Sequence, residues 1–505
     1  METGQSLSFD DLKAHNRAED CWVAIGEKVW DVTEFLNLHP GGPDVILRYA
    51  GQDATQAYEE IHAPGMLEET LAANKFVGHI LPSNDIPPKS TIDEAAAAEA
   101  NPRPIARTPS SMELPLQIPN VYEQPPLHSL ISAPDFQEVA SHVLTPKAWA
   151  FYSSAATDLV THTQNKALIR RLMFRPRVLR DVKEVSMKRT ILGCESEAPF
   201  FVSPAAMARL AHPDGECALA RGVGSQGVLQ CISSNASYPL SAIVKAGTKD
   251  QSFFLQLYVN SDRPKTAELL QKAAALGIKA VFVTVDAPVP GKREADERIA
   301  AEAVASAISG AVASNDKKGG GMGRLMAQYV DKSLIWKDIA WIKKVSGLPV
   351  ILKGVQSAAD AIMAAEYGAS GVMLSNHGGR SLDGAQPSIL VLLELHRICP
   401  DIFNKLEVYI DGGFERGSDI LKAIALGATA VGVGRPYLYS LTYGDGGVEH
   451  LTQILKDELE TSMRLCGITD VDQAHPGLIN TQDIDHMVAE SVKHPYIQWR
   501  PRAKI

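Results

Sequence analysis

A small α+β unit followed by a closed (β/α)8 barrel is the fold class that this sequence predicts, on three observations. The 505 residues exceed one ordinary domain. Before residue 82 a compact segment carries a hairpin signature, and after residue 126 eight short apolar or β-branched runs alternate with helical patterns. Eight strands, each followed by a helix, close into a barrel.

The elements follow in chain order. Ser8 stands before Asp10-Asp11-Leu12, an N-cap ahead of a first helix. The strand-like run Cys21 to Ile25 turns at Gly26-Glu27 into Lys28 to Val32, its hairpin partner. His39-Pro40-Gly41-Gly42 and Ile61-His62-Ala63-Pro64 complete a unit spanning 5–81. Residues 82–126 shift to Pro, Ala, Ser and Glu and read as a linker, with a brief helix at Glu94 to Glu99.

The barrel unit is placed at 127–475. Its eight runs are Phe200 to Val202, Val228 to Ile232, Phe253 to Leu257, Ala280 to Val285, Pro349 to Leu352, Gly371 to Leu374, Glu407 to Ile410 and Ala430 to Val433. Helical stretches at Thr266 to Leu276, Trp336 to Val345, Ala358 to Tyr367 and Ser418 to Leu426 separate several of them. The stretch from Val285 to Trp336, with Lys317-Lys318-Gly319-Gly320-Gly321, breaks this rhythm and reads as a loop over the mouth of the fourth strand. A tail at 476–505 has no barrel strand to serve and is expected to wrap a neighbouring subunit.

Composition excludes several functions. Hydrophobic residues at 45% and charged residues at 21% fit a soluble globular protein. The net charge of -10 argues against nucleic acid. No apolar run reaches the roughly 20 residues of a membrane span. Six scattered cysteines, without a CxxC pair, read as buried thiols of a reducing compartment. A soluble, cytoplasmic protein is the expectation. The end Ala503-Lys504-Ile505 loosely resembles a peroxisomal address, which leaves that compartment and the mitochondrial intermembrane space open.

A six-coordinate haem takes two neutral imidazoles on opposite faces, and Pro40 with its glycines would turn the chain sharply beside a porphyrin. The N-terminal segment resembles the cytochrome b5 family. That resemblance implies an α+β cytochrome b5-like domain binding haem b, with His39 and His62 as the iron ligands.

In barrels of this kind the working groups lie at the C-terminal ends of strands. Those ends give Ser203 to Met207, Ser233-Ser234-Asn235, Gln256-Leu257-Tyr258, Thr284-Val285-Asp286 with Arg293, Lys353-Gly354, Ser375 to Arg380, Asp411-Gly412-Gly413 and Gly434-Arg435. A base, carboxylates, arginines, a lysine and a tyrosine converge on one rim.

The barrel resembles the FMN-dependent L-2-hydroxy acid oxidase and dehydrogenase family, most specifically in Ser375-Asn376-His377-Gly378-Gly379-Arg380. The resemblance implies His377 as general base, Asp286 as its partner, Arg380 and Arg293 on the substrate carboxylate, and Tyr258 on the hydroxyl or carboxylate. Lys353 falls against the flavin, and Ser233, Gln256 and Thr284 along its edge. Ala205, Ala206, Ser375, Asp411, Gly412, Gly413, Gly434 and Arg435 complete the implied FMN site.

Four positions depart from the pattern. Phe151 replaces a tyrosine, a lost hydrogen bond to a charged group that costs about 1.5–3 kcal/mol. Asn235 stands where the family is apolar or aromatic, Glu415 replaces an arginine expected on the phosphate, and Ala155 replaces a glycine. The implied activity is oxidation of a lactate-like L-2-hydroxy acid to the 2-keto acid, with electrons passing through FMN and haem to a cytochrome c-like acceptor. Two other readings stay open: an oxygen-reducing oxidase with an accessory haem domain, and a haem electron carrier whose flavin site has decayed. A homo-oligomer, by resemblance a tetramer, accompanies the first.

Overall fold

The computed structural model describes residues 5–36, 39, 43–55, 57–58, 67, 70–80, 122–299, 306–309, 321–493 and 496. His62, the Glu94 to Glu99 stretch, Lys317 to Gly320 and the end Ala503-Lys504-Ile505 lie outside them.

In the N-terminal unit, strand Asp20–Ile25 pairs antiparallel with Lys28–Asp31, which pairs in turn with Phe76–Ile80. Ser8 caps the helix Phe9–Ala14 as expected, in a capping box with Asp11. Alternation sends Cys21, Val23 and Trp30 into a small core, which Leu36 joins from the turn after the second strand of the hairpin.

The barrel is closed. Its strands are β1 (Phe200–Val202), β2 (Leu229–Ser233), β3 (Phe253–Leu257), β4 (Ala280–Thr284), β5 (Val350–Val355), β6 (Gly371–Leu374), β7 (Glu407–Ile410) and β8 (Ala430–Val433). All eight run parallel, and β8 closes on β1 through Phe200 opposite Val431. Period-two alternation splits each strand between two cores. In β3, Phe254 points inward to Phe201, Phe282, Met373 and Tyr409, while Phe253 and Leu255 pack outward under the helices. The hairpin Arg189–Ile191 and Cys194–Ser196 plugs the bottom with Ile191 and Cys194. That leaves the top rim for polar groups.

The described part of the tail packs on its own barrel. Ile479–Asn480 pairs antiparallel with Met173–Phe174, Arg171 Nε bonds Asp483 at 2.6 Å, and Arg397 Nη1 donates to the Val488 carbonyl at 2.8 Å. Leu478, Ile479, Ile484 and Val488 are all buried against the barrel. Up to Val488 the tail therefore seals its own barrel, because its apolar side chains find cover there. Among the described residues no helix is long and apolar enough to cross a membrane.

Candidate active site

The top of the barrel holds a cavity with about 1300 Å³ of free space, open solvent included. The turn that follows β6 brings His377, Gly378 and Arg380 to its lining. Asn376 Oδ1 accepts from Gly379 N at 3.0 Å, and Asn376 exchanges two amide hydrogen bonds with Asn165, at 2.8 and 2.9 Å. This clamp holds His377 at φ 59°, a left-handed conformation costing a non-glycine residue about 1–3 kcal/mol. Asn165 lies on the helix Val160–Arg171, away from any strand end, and only the fold brings it to Asn376.

His377 is oriented from both sides. Its Nδ1 lies 3.1 Å from Asp286 Oδ1, and its Nε2 lies 3.2 Å from the Tyr258 hydroxyl. Burial pushes the imidazole pKa below its ordinary value, against the pull of Asp286. Burial pushes the Asp286 carboxyl up, but His377 and Lys353 outweigh it and keep Asp286 ionised. A neutral imidazole with a carboxylate on Nδ1 presents a basic Nε2 to the cavity. Gly354 makes the approach possible: a Cβ there would lie 2.5 Å from Asp286 Cβ, and its φ is +108°.

Arg380 Nη1 donates to the carbonyls of Phe151, Tyr152 and Ser154 at 2.8, 3.0 and 3.0 Å. Its Nε and Nη2 make no hydrogen bond among the described residues, and Arg380 lines the cavity. The Phe151 ring lies 5.3 Å from its guanidinium, so the residue without a hydroxyl still serves as a cation–π support. Arg293 Nε reaches the Arg380 carbonyl at 3.4 Å. Arg435 donates to the carbonyls of Tyr152, Ser154 and Gly378, each at 3.1 Å. Burial and the neighbouring guanidiniums push the Arg380 pKa down, the signature of cations gathered to receive anions.

The wall between these cations carries the residues that the sequence singled out for a flavin. Gln256 Oε1 accepts from Ser233 Oγ at 3.1 Å, and Gln256 Nε2 donates to Thr284 Oγ1 at 2.9 Å. Lys353 Nζ donates to Ser375 Oγ at 3.0 Å and lies 3.3 Å from Asp411 Oδ2, leaving one N–H for the cavity. Burial draws the Lys353 ammonium down, but Asp411 and Asp286 more than restore it. Asp411 Oδ1 is buried without a partner among the described residues. An added Cβ at Gly434 would meet only Ser203, at 3.7 Å, so the floor there is open. A charged donor, a line of amide and hydroxyl groups and an open floor ending in cations fit FMN. Ser375 is buried behind Lys353, where it also accepts from His377 N at 3.0 Å, and does not line the cavity.

At the far end Glu415 does not meet the arginines bare. It pairs with Lys166, and both line the cavity. Lys166 gave no sequence signal, because it sits mid-helix and far along the chain from its partner.

In the N-terminal unit His39 is half-buried, its N donating to the Phe35 carbonyl at 2.8 Å and its ring edge-on to Phe35. Partly buried Ile46, Leu47, Tyr49 and Leu67 pack on the same small core. An apolar wall beside an imidazole fits a haem. His62, the other expected ligand, lies outside the described residues.

Residues 140–481 match the FMN-dependent dehydrogenase family, and residues 8–81 match the cytochrome b5-like heme/steroid binding domain. The chain is 42% identical over 97% of its length to the L-lactate dehydrogenase (cytochrome) of Saccharomyces cerevisiae, of which it covers 82%. It is 37% identical over 69% of its length to glycolate oxidase 2 of Oryza sativa, covering 95% of that protein. The solved flavin-binding domain of baker's yeast flavocytochrome b2 superposes with a TM-score of 0.65 at 42% identity, covering 74% of this chain and 92% of that one.

Proposed function

The chain belongs to the FMN-dependent dehydrogenase family, with a cytochrome b5-like domain ahead of its barrel, and from that premise we propose that it oxidises an L-2-hydroxy acid of the lactate type to the 2-keto acid. FMN would supply the two-electron acceptor, and a b-type haem would relay those electrons singly to a cytochrome c-like acceptor. Similarity to a cytochrome-linked lactate dehydrogenase along nearly the whole chain supports this over an oxygen-reducing oxidase, since the oxidase relative aligns with only 69% of it.

The single observation that carries the chemistry is His377 held between Asp286 and Tyr258 in one cavity with Arg380. The open Nε and Nη2 edge of Arg380 takes the substrate carboxylate as a planar fork, and Arg293 adds a second positive charge. Tyr258 directs the C2 hydroxyl toward His377. His377 Nε2 accepts the proton that the substrate gives up, and Asp286 stabilises the imidazolium that results. Bound FMN supplies the acceptor for the electron pair from C2. Lys353 places positive charge beside it, and Ser375 and Asp411 hold that lysine in position. Ser233, Gln256 and Thr284 would hold the edge of the ring system, with Ala205, Ala206, Gly412, Gly413 and Gly434 lining the space around it. Arg435 and Lys166 would meet the phosphate. His39 and His62 would hold the haem iron, and a haem with two histidine ligands would supply electron transfer rather than substrate binding.

The test is an anaerobic absorbance spectrum of the purified protein before and after addition of L-2-hydroxy acids. Bleaching of the flavin followed by reduced haem bands is expected. A protein that keeps its haem but neither carries nor takes up FMN would refute the proposal.

A further inference from the structure

Asn235, just beyond β2, is 5% exposed and lines the same cavity as Tyr258, Arg293, His377 and Arg380. Three of its four hydrogen-bonding groups are taken. Its backbone N donates to Ser233 Oγ at 3.1 Å, and its carbonyl accepts from Met207 N at 3.2 Å. Its Oδ1 accepts from Ser309 Oγ at 3.0 Å and from the Tyr329 hydroxyl at 2.9 Å. The amide Nδ2 donates to nothing among the described residues. Ser309 and Tyr329 both come from the long stretch between β4 and β5, so that stretch fixes the amide. Tyr329 is itself anchored, because the neighbouring Val330 bridges to Asn260.

A buried amide held by its oxygen directs its N–H pair elsewhere, and leaving that donor unmatched is unfavourable. With the C1 carboxylate on Arg380 and the C2 hydroxyl between Tyr258 and His377, the remaining substituent on C2 is left to the rest of the wall. We propose that Asn235 Nδ2 donates to an oxygen on that substituent, so that the preferred substrate is an L-2-hydroxy acid bearing a hydroxyl or a carboxylate on its side chain rather than a plain alkyl group. The inference rests on the hydroxy acid reading above. Its physical basis is asymmetric: a site built to hydrogen-bond a group rejects the analogue lacking it far more strongly than an apolar pocket rejects an added hydroxyl.

The experiment uses the holoenzyme with both cofactors bound and two pairs of near-isosteric L acids. Glycerate is set against 2-hydroxybutanoate, and malate against 2-hydroxy-4-methylpentanoate. The rate of anaerobic flavin bleaching gives kcat/KM. Perturbation of the flavin absorbance by the matching 2-keto acids gives binding without turnover. At least one oxygen-bearing member should exceed its alkyl partner about tenfold by both readouts. The pair that shows it tells hydroxyl from carboxylate. Asn235→Leu should reverse the preference, with Asn235→Ala as a smaller change should the leucine variant lose its flavin. If the alkyl acids equal or beat their partners, or if the preference survives both substitutions, the inference fails while the hydroxy acid reading stands. If no acid of any kind bleaches the flavin, both fall together.

Discussion

At the His377 end of the cavity each side chain that would touch substrate is braced by protein: Asp286 behind the imidazole, three carbonyls behind Arg380, Asn165 behind the turn. At the Arg435 end a carboxylate, Glu415, stands among the cations and is matched by Lys166. The first arrangement is complete before any ligand enters, so binding there need not reorganise the protein. The second balances charge internally, so an incoming phosphate must compete with Glu415 for Lys166. One end is set for reaction, and the other trades affinity for neutrality.

Breaking the first end should give the largest effect. His377→Gln should lower kcat by about 10³-fold, within the usual worth of a positioned base, with flavin and haem spectra retained. Undiminished turnover would remove His377 from the role of base.

Asp286→Asn should cost about 10²-fold, since it leaves the imidazole unoriented and its charge unsupported. It should also move a pH profile. In the proposed chemistry neutral His377 is the working form, and burial holds its pKa below the ordinary 6.5, so kcat/KM should stay flat at neutral pH and fall only as acid protonates His377 beneath that value. Asp286 raises this pKa, so the asparagine variant should place its acid limb lower still. An acid limb above pH 7, or one that rises in the variant, would contradict the geometry.

The second end should respond in binding, not in chemistry. Lys166→Met should weaken FMN binding about tenfold, measured by fluorescence quenching as the flavin is titrated into apoprotein. Glu415→Gln should act in the opposite direction and by less, about threefold tighter, because it releases Lys166 and removes a like charge from the phosphate. If Glu415→Gln weakens binding instead, the carboxylate is needed to position Lys166 and the contrast between the two ends dissolves.

Much of the fold was legible because barrel strands are short, continuous and apolar. All eight runs read from the sequence coincide with β1 to β8 to within three residues at either end, the largest difference being the C-terminal end of β5. Groups at strand ends were legible for the same reason, since topology alone sends Tyr258, Lys353 and His377 to one rim. What escaped was pairing across the chain. Asn165 with Asn376 and Lys166 with Glu415 join a helix before the first barrel strand to turns after the sixth and seventh. Neither helix position carries a pattern that foretells its partner. The tail escaped too, because Ile479 and Val488 read as isolated apolar residues until the barrel surface they cover is known.

Gly354 sets a constraint that reaches beyond this chain. With Asp286 Cβ only 2.5 Å from where a side chain would begin, a barrel that keeps the carboxylate and imidazole in this arrangement has no room for even a methyl group at that point of β5. A survey of distant barrels can use this as a filter: a glycine one residue before the end of the fifth strand, together with an aspartate just past the fourth, marks chains able to assemble the pair. A bulkier residue there marks barrels that have abandoned it, whatever else they retain.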